Sequence, residues 1–488
     1  MPLPRSFKTD ESFLEKLYVG AIGTKQVLEN LGAQGHHPVV LERGSTSFKI
    51  WKAIKIKRIR VPDTLCLLCG RRVESRAKTK MEVSMSHSAA VQERGWDAGL
   101  EDNDLIALVH CSRIGPGALD WAASPLVQYV GVGALREAWR ADLAITQRPK
   151  GAQEGFEIRI TWPSAVASAS GVVEQVDADH IRYRKDIGAR QVVLRLSRAV
   201  GRLIPLVSAG DQVQLSQIVA SVVPVTTTCA CTGGATAEMY ITMASSASLS
   251  DRYAAAKALG HHADASCTDA LADLVRNDKE HVYVRLEAAA GLARRGEPIG
   301  EQFLGRTLYD DYLENRLEAA IVLGEVGTRQ AGLLLVGTLR DPKQHSEIRA
   351  GAAWSLGEVG AREALPVLVE SFTCLETVVK IEAARALSKI ARKHLDDVIQ
   401  VLPRSSSDER PGVAWALSKS GGFNVDQLLA ALVDEDARHW VAYVIGTQDR
   451  EAMLPQIEAL AKADPEVYFA VTVLWKIIGS WVYGLEEY

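Results

Sequence analysis

The chain has few cysteines, no long apolar run and almost no net charge. Seven cysteines in 488 residues are too sparse and uneven for the disulfide framework of a small secreted protein. No apolar stretch approaches the ~20 residues of a membrane span. The opening MPLPRSFKTDESFLEKL lacks the apolar core of a signal peptide. The expectation is a cytoplasmic protein with no membrane partner. A formal net charge of −4 gives no global pull toward nucleic acid or an anionic surface. Hydrophobic content of 47% and charged content of 24% are ordinary for a soluble protein, and the length suggests two to four domains.

What the chain has in abundance is a repeat. A basic residue, a spacer, small residues and a Leu or Ile recur from Arg252 onward, as in VRLEAAAGLARRG at Val284, NRLEAAIVLGEVG at Asn315 and IRAGAAWSLGEVG at Ile348. The anchors Arg252, Arg285, Arg316, Arg349, Lys380, Arg410 and Arg438 are spaced by 33, 31, 33, 31, 30 and 28 residues. A period in this range predicts stacked helical units, none of which buries its apolar face alone. Ala pairs such as Ala319-Ala320 let neighbouring helices approach, and Gly260, Gly324 and Gly357 are expected to favour helix termination. The last unit is rich in aromatics (Tyr468, Phe469, Trp475, Trp481, Tyr483). These repeats resemble HEAT repeats, in particular the short kind of phycobilisome lyases. The resemblance implies an α-solenoid over 246–488 that holds a protein partner. A bilin lyase is the least favoured implication, because nothing marks a tetrapyrrole site.

The first 150 residues mix helix and strand. Phe13, Leu14, Leu17, Ala21, Ile22, Val27 and Leu28 have helical spacing. HPVVLERG predicts a short strand, Lys49 to Val83 predicts two or three strands, and DLIALVHC from Asp104 predicts a buried one. From 151 to 225, EIRITW and HIRYR alternate and QVVLRL is rich in β-formers. SGVVEQVDADHIRYRKD from Ser170 and PLVSAGDQVQLSQIVA from Pro205 together resemble the two halves of a barrel-sandwich hybrid, the β-fold of biotinyl and lipoyl carriers. No Lys flanked by Met stands there, so the resemblance implies fold and not a swinging arm. VTTTCACTGGATA opens a linker over 226–245. The expected fold class is thus multidomain: an N-terminal α/β domain, a central all-β domain and a C-terminal α-solenoid.

Chemistry concentrates in IRVPDTLCLLCGRRVESRAKTK, from Ile59. Between Lys49 and Lys80 stand eleven basic residues and two acids. If the chain turns at Leu68 and Cys69, Asp63 and Glu74 oppose each other across a hairpin at about 5 Å. Two carboxylates that close repel unless a cation lies between them, as in a Mg²⁺-dependent phosphodiesterase. The order helix, strand, hairpin, helix, strand resembles the PD-(D/E)xK nuclease fold. That resemblance implies Asp63 and Glu74 as Mg²⁺ ligands and catalytic groups. Arg76 stands where the family has Lys, and Arg cannot act as a base; Lys78 is the candidate substitute. Lys49, Lys52, Lys55, Lys57, Arg58, Arg60, Arg76 and Lys80 are the candidate nucleic-acid contacts. Cys66-Leu-Leu-Cys69-Gly70 also has the shape of half a zinc site, for which His87 and Cys111 are candidate partners. Cys229 and Cys231, spaced CxC, could ligate metal or oxidise, but in a loop with no nearby His they are expected to be loop thiols. The leading functional expectation is a metal-dependent nucleic-acid-processing protein. The alternative is a non-catalytic scaffold with a zinc-braced N-terminal module.

Overall fold

The computed structural model describes residues 10–41, 59–88, 90–91, 94–148, 157–188 and 190–484. They divide into two compact units, with the division at Leu271. Among the described residues no helix is long and apolar enough to cross a membrane.

The first unit is built on a five-stranded sheet. Its strands are β1 (Pro38–Val40), β2 (Thr64–Cys66), β3 (Arg72–Lys78), β5 (Leu105–Arg113) and β6 (Trp121–Gly131), hydrogen-bonded in that order. Only β3 and β5 run parallel. The connection between them carries β4 (Val83–Ser88) and an irregular stretch. Period-two alternation sorts β5 cleanly. Ala107, Val109 and Cys111 face the helix α1 (Asp10–Ala33), with Val19, Val27 and Leu31 buried against them. Ile106 and Leu108 face a second core. That core holds Val132, Leu135 and Ala138 of α2 (Val132–Arg140), together with Trp96 and Trp162. Gly23 lets α1 lie close, since a Cβ there would sit 2.7 Å from Ala77 Cβ.

The second core continues into the β-rich segment. β4 pairs with β8 (Glu157–Trp162), and β8 with β7 (Ile145–Gln147). One sheet therefore crosses the expected boundary at 150. Beyond it lie β9 (Ser164–Val166), β10 (Gly171–Val176), β11 (His180–Lys185) and β12 (Gln191–Arg195). β13 (Ser197–Arg198) and β14 (Gly201–Arg202) form a small hairpin. β15 (Ile204–Pro205), β16 (Gln212–Val213) and β17 (Ile218–Ser221) complete the set. They make one sheet in the order β12-β11-β10-β16 and another in the order β15-β17-β9. Val173, Ile181, Tyr183, Ala165, Ile218 and Ala220 are buried in this core.

After an irregular stretch come α3 (Ala237–Met243), α4 (Leu249–Leu259) and α5 (Ala265–Arg276). The second unit then stacks helix pairs: α6 (Val282–Arg294) with α7 (Pro298–Thr307), α8 (Leu313–Val326) with α9 (Arg329–Arg340), and α10 (Ser346–Val359) with α11 (Leu365–Glu370). Next come α12 (Thr377–Ala391) with α13 (Leu395–Val401), and α14 (Arg410–Ser420) with α15 (Val425–Leu429). α16 (Glu435–Gly446), α17 (Arg450–Met453), α18 (Ile457–Ala463) and α19 (Pro465–Gly484) end the array. The Ala-rich helices stack in series, α8 on α10, α10 on α12 and α12 on α14.

Two expectations about the repeat change here. Gly324 and Gly357 lie inside α8 and α10 and do not end them. The helices end at Gly327 and Gly360, whose φ values of 65° and 68° are left-handed. Gly324 and Gly357 are instead positions of close approach to the next repeat: a Cβ on Gly324 would meet Ser355 Cβ at 2.8 Å, and one on Gly357 would meet Ala386 Cα at 2.6 Å.

Candidate functional site

The acidic pair stands at the open end of the β2–β3 hairpin. Thr64 pairs with Val73, so one step further along this register Asp63 stands opposite Glu74. Both carboxylates have partners inside the fold. Asp63 Oδ2 accepts from the Ser75 amide at 2.7 Å. Glu74 Oε1 is ion-paired with Arg76 at 2.8 Å. Lys78 Nζ donates to the Ser84 carbonyl at 2.5 Å and to Ser84 Oγ at 3.2 Å. Burial, then Arg76 and Arg159, bring the Lys78 ammonium down to about 8. Arg60 and Lys80 are exposed. Lys49, Lys52, Lys55, Lys57 and Arg58 lie outside the described residues.

The closed end of the same hairpin carries the half-site CLLCG, and here the fold assembles more than the sequence promised. Pro38 of β1 pairs with Cys66, which carries the preceding His36 to the hairpin tip. Residues 229–235 run across that tip, with the Ala235 amide donating to the Leu68 carbonyl at 2.9 Å. His36, Cys66, Cys69 and Cys231 consequently bring their ligand atoms within 4.8 Å of one another. Cys66 Sγ lies 3.9 Å from Cys231 Sγ, and Cys69 Sγ lies 3.5 Å from His36 Nδ1. His36 Nε2 is 2.6 Å from the Cys229 carbonyl. That contact assigns the proton to Nε2 and leaves the Nδ1 lone pair facing the sulfurs. The left-handed φ of 71° at Gly70 makes the turn after Cys69.

Burial alone would raise the Cys66 thiol. The His37 backbone, the nearby His36 ring and the Cys69 and Leu68 backbone reverse this and bring it down to about 7. Burial, with the neighbouring Cys66 and Cys231 sulfurs, pushes Cys69 up to about 12. The two sulfurs titrate as a pair, because the first thiolate formed disfavours the second.

His87 and Cys111, the partners expected for the half-site, lie elsewhere. His87 Nδ1 accepts from the Trp96 amide at 3.3 Å, and its ring packs edge-on against Trp139. Cys111 is buried under α1, where burial raises its thiol to about 11. Of the four candidate zinc ligands, the fold brings together Cys66 and Cys69 and supplies His36 and Cys231 in place of the others.

In the second unit the recurring basic residue is used internally. Arg285 donates to the Val275 carbonyl at 2.9 Å, and Arg349 to the Leu339 carbonyl at 2.9 Å. Both are carbonyls in the last turn of a helix, where they lack intrahelical donors. Arg410 forms a bidentate pair with Asp434 at 2.7 and 2.8 Å and also reaches Asp436. Asp434 in turn caps α16. Arg438 repeats the arrangement with Asp464. A groove of about 770 Å³ runs between α7 and α9, lined by Pro298, Gln302, Arg306, Tyr309, Gln330 and Leu334 among others.

A family model described as HEAT repeats matches residues 301–388. The C-terminal array is made of HEAT repeats. Solved structures similar to part of this chain include human deoxyhypusine hydroxylase, 22% identical, covering 42% of this chain and 82% of that one with a TM-score of 0.22. The CpcE and CpcF complex of phycocyanin lyase from Nostoc is 20% identical over 49% of this chain and 95% of that one, with a TM-score of 0.26. An archaeal HEAT-like repeats protein from Thermococcus onnurineus is 13% identical over 44% and 97%, with a TM-score of 0.24. No curated protein matches the chain.

Proposed function

We propose that the chain is a non-catalytic scaffold that holds a partner protein on its HEAT array. The supporting observation is the fate of the recurring basic residue. Arg285, Arg316, Arg349, Arg410 and Arg438 bond carbonyls or acids of their own or the adjoining repeat. They join repeat to repeat, and so do not form the cationic track that would follow a phosphate backbone. Tyr309, which lines the α7–α9 groove, is 55% exposed, as is Leu333 of α9, and Tyr312 before α8 is 65% exposed. Aromatic anchors beside a groove suit a protein surface.

The test is affinity capture with the wild type and with Tyr309→Ala/Leu333→Glu. Exposed substitutions of this kind change stability by no more than about 0.5 kcal/mol. Loss of an aromatic anchor costs about 2 kcal/mol of binding, a roughly 30-fold weaker complex. A partner retained in stoichiometric amount by the wild type and lost by the double variant is expected. Equal retention by both proteins would remove the groove from the reading.

The nuclease reading of Asp63, Glu74 and Lys78 has less support, because each side chain already serves the fold. We expect no cleavage of single- or double-stranded DNA with Mg²⁺ or Mn²⁺. Metal-dependent cleavage that disappears in Asp63→Ala would reinstate it. The barrel-sandwich reading of the β-rich segment is supported by where its two strings fall: the first forms β10 and β11 of one sheet, and the second adds β16 to that sheet and β15 and β17 to the other.

A further inference from the structure

We infer that His36, Cys66, Cys69 and Cys231 hold a single zinc ion, and that the ion fastens the segment 229–240 to the β2–β3 hairpin. The first argument is distance. A tetrahedral zinc with bonds of about 2.3 Å to sulfur and about 2.1 Å to nitrogen places its ligand atoms about 3.5–3.8 Å apart. The measured separations are 3.9 Å between the Cys66 and Cys231 sulfurs and 3.5 Å between Cys69 Sγ and His36 Nδ1. A disulfide needs about 2.05 Å, so the sulfurs are not placed for one. All four atoms lie within 4.8 Å of one another, which leaves room for one ion and not for an iron–sulfur cage.

The second argument is the outer shell. A ligating histidine usually gives its other ring N–H to a carbonyl, which fixes tautomer and orientation. His36 has this arrangement, with Nε2 at 2.6 Å from the Cys229 carbonyl. Gly70, with its left-handed φ of 71°, turns the chain directly after Cys69, as the glycine of a zinc knuckle does. Three thiolates and an imidazole select zinc over the hard cations that need oxygen ligands. Four protein ligands leave no open coordination position, so the site is structural and not a hydrolytic centre.

The third argument concerns what the ion would join. Residues 227–236 form neither helix nor strand; the Thr226 bridge to Tyr129 lies just before them. They are held by scattered bonds, the Cys231 amide to the Gln34 carbonyl at 3.3 Å and the Ala235 amide to Leu68, and Tyr240 of α3 adds Oη to the Cys66 carbonyl at 3.3 Å. Such isolated bonds contribute about 1 kcal/mol each. A metal coordinated by residues 36, 66, 69 and 231 closes long loops in the unfolded chain, and so makes binding energy into folding energy.

The experiment is metal analysis of the full-length protein purified without affinity metals, followed by cobalt substitution. The wild type should carry about one zinc per chain and, with Co²⁺, show the strong thiolate charge-transfer absorption of a tetrahedral sulfur-rich site. Cys231→Ser and His36→Ala should each lower zinc to background, while Cys111→Ser and His87→Ala should keep it. If the ligand variants fail to fold, chelation of the wild type decides the same point. Zinc removal should speed amide exchange in 229–240 at least tenfold and leave α8–α12 unchanged. A wild type without stoichiometric metal overturns the site. Metal retained in Cys231→Ser overturns the ligand set. Unchanged exchange on chelation overturns the fastening role.

Discussion

Arg72→Met should lower the stability of the first unit by about 3–5 kcal/mol, the cost of breaking a buried ion pair by removing one partner. Arg72 opens β3 with a side chain only 4% exposed. Its guanidinium holds Asp104 through two bonds of 2.8 Å and reaches Asp251 at 2.7 Å and Ser250 Oγ at 3.2 Å. One side chain thus ties the sheet, the turn before β5 and the first turn of α4. Ser250 extends the arrangement by donating to the Gly99 carbonyl at 2.8 Å. Methionine fills similar volume but leaves two carboxylates without their cation.

The pH dependence separates that effect from lost packing. Burial already holds the Asp104 carboxyl above its usual range, with Arg72 opposing the rise. Without Arg72 it should rise further. A carboxyl whose folded pKa exceeds its unfolded value binds its proton first in the folded state, so its contribution to stability grows as pH falls through that folded value. Arg72→Met should therefore recover part of its loss as pH falls from neutral toward the unfolded Asp value of ~3.9. The double variant Arg72→Met/Asp104→Leu should recover more at neutral pH, since it removes both charges. Calorimetry or urea titration of the first unit measures all three proteins. A loss below about 1 kcal/mol in the single variant, flat with pH, would mean that the carboxylates are satisfied without Arg72.

How much of this was readable in the sequence depended on distance along the chain. The array was readable because its period is written seven times over, and α6, α8, α10 and α12 begin close to where the recurring string predicts. Half of the His36, Cys66, Cys69 and Cys231 cluster was readable too, in Cys66 and Cys69, because a turn of two residues places them together by itself. His36 and Cys231 were not, since thirty residues separate one from Cys66 and more than 160 the other. What joins them is β1, a strand of three residues, too short for its alternation to stand out. The signal left unused was pairing: His36-His37 and Cys229-Ala-Cys231 are also closely spaced sets of ligand-type residues. In the acidic pair the register was accessible from the turn, but the internal uses of Asp63 and Glu74 depend on the Ser75 amide and the Arg76 rotamer. Spacing carries no information about either.

The same limit explains the glycines of the repeat, and it gives the second large effect. Gly357→Leu should destabilise the HEAT array by about 3 kcal/mol or more, at the upper end of the range for overpacking. Even the first carbon of a side chain would lie 2.6 Å from Ala386 Cα and 2.8 Å from Ala386 Cβ. The obstacle is the backbone of α12, so no rotamer change relieves it and α10 must move away. Read along the chain, Gly357 is a weak helix former near a helix end; across the stack it is the residue that lets two helices touch. Gly337 provides the control. It lies in α9, exposed, with nothing within 4 Å of an added Cβ. Gly337→Ala should raise stability by up to about 1 kcal/mol through helix propensity alone. Because repeats are coupled mainly to their neighbours, amide exchange should show the Gly357→Leu damage concentrated in α8–α14. Opposite signs at the two glycines are the expected result. Destabilisation of the same size at both would mean that propensity and not the α10–α12 contact sets the role of glycine in this array.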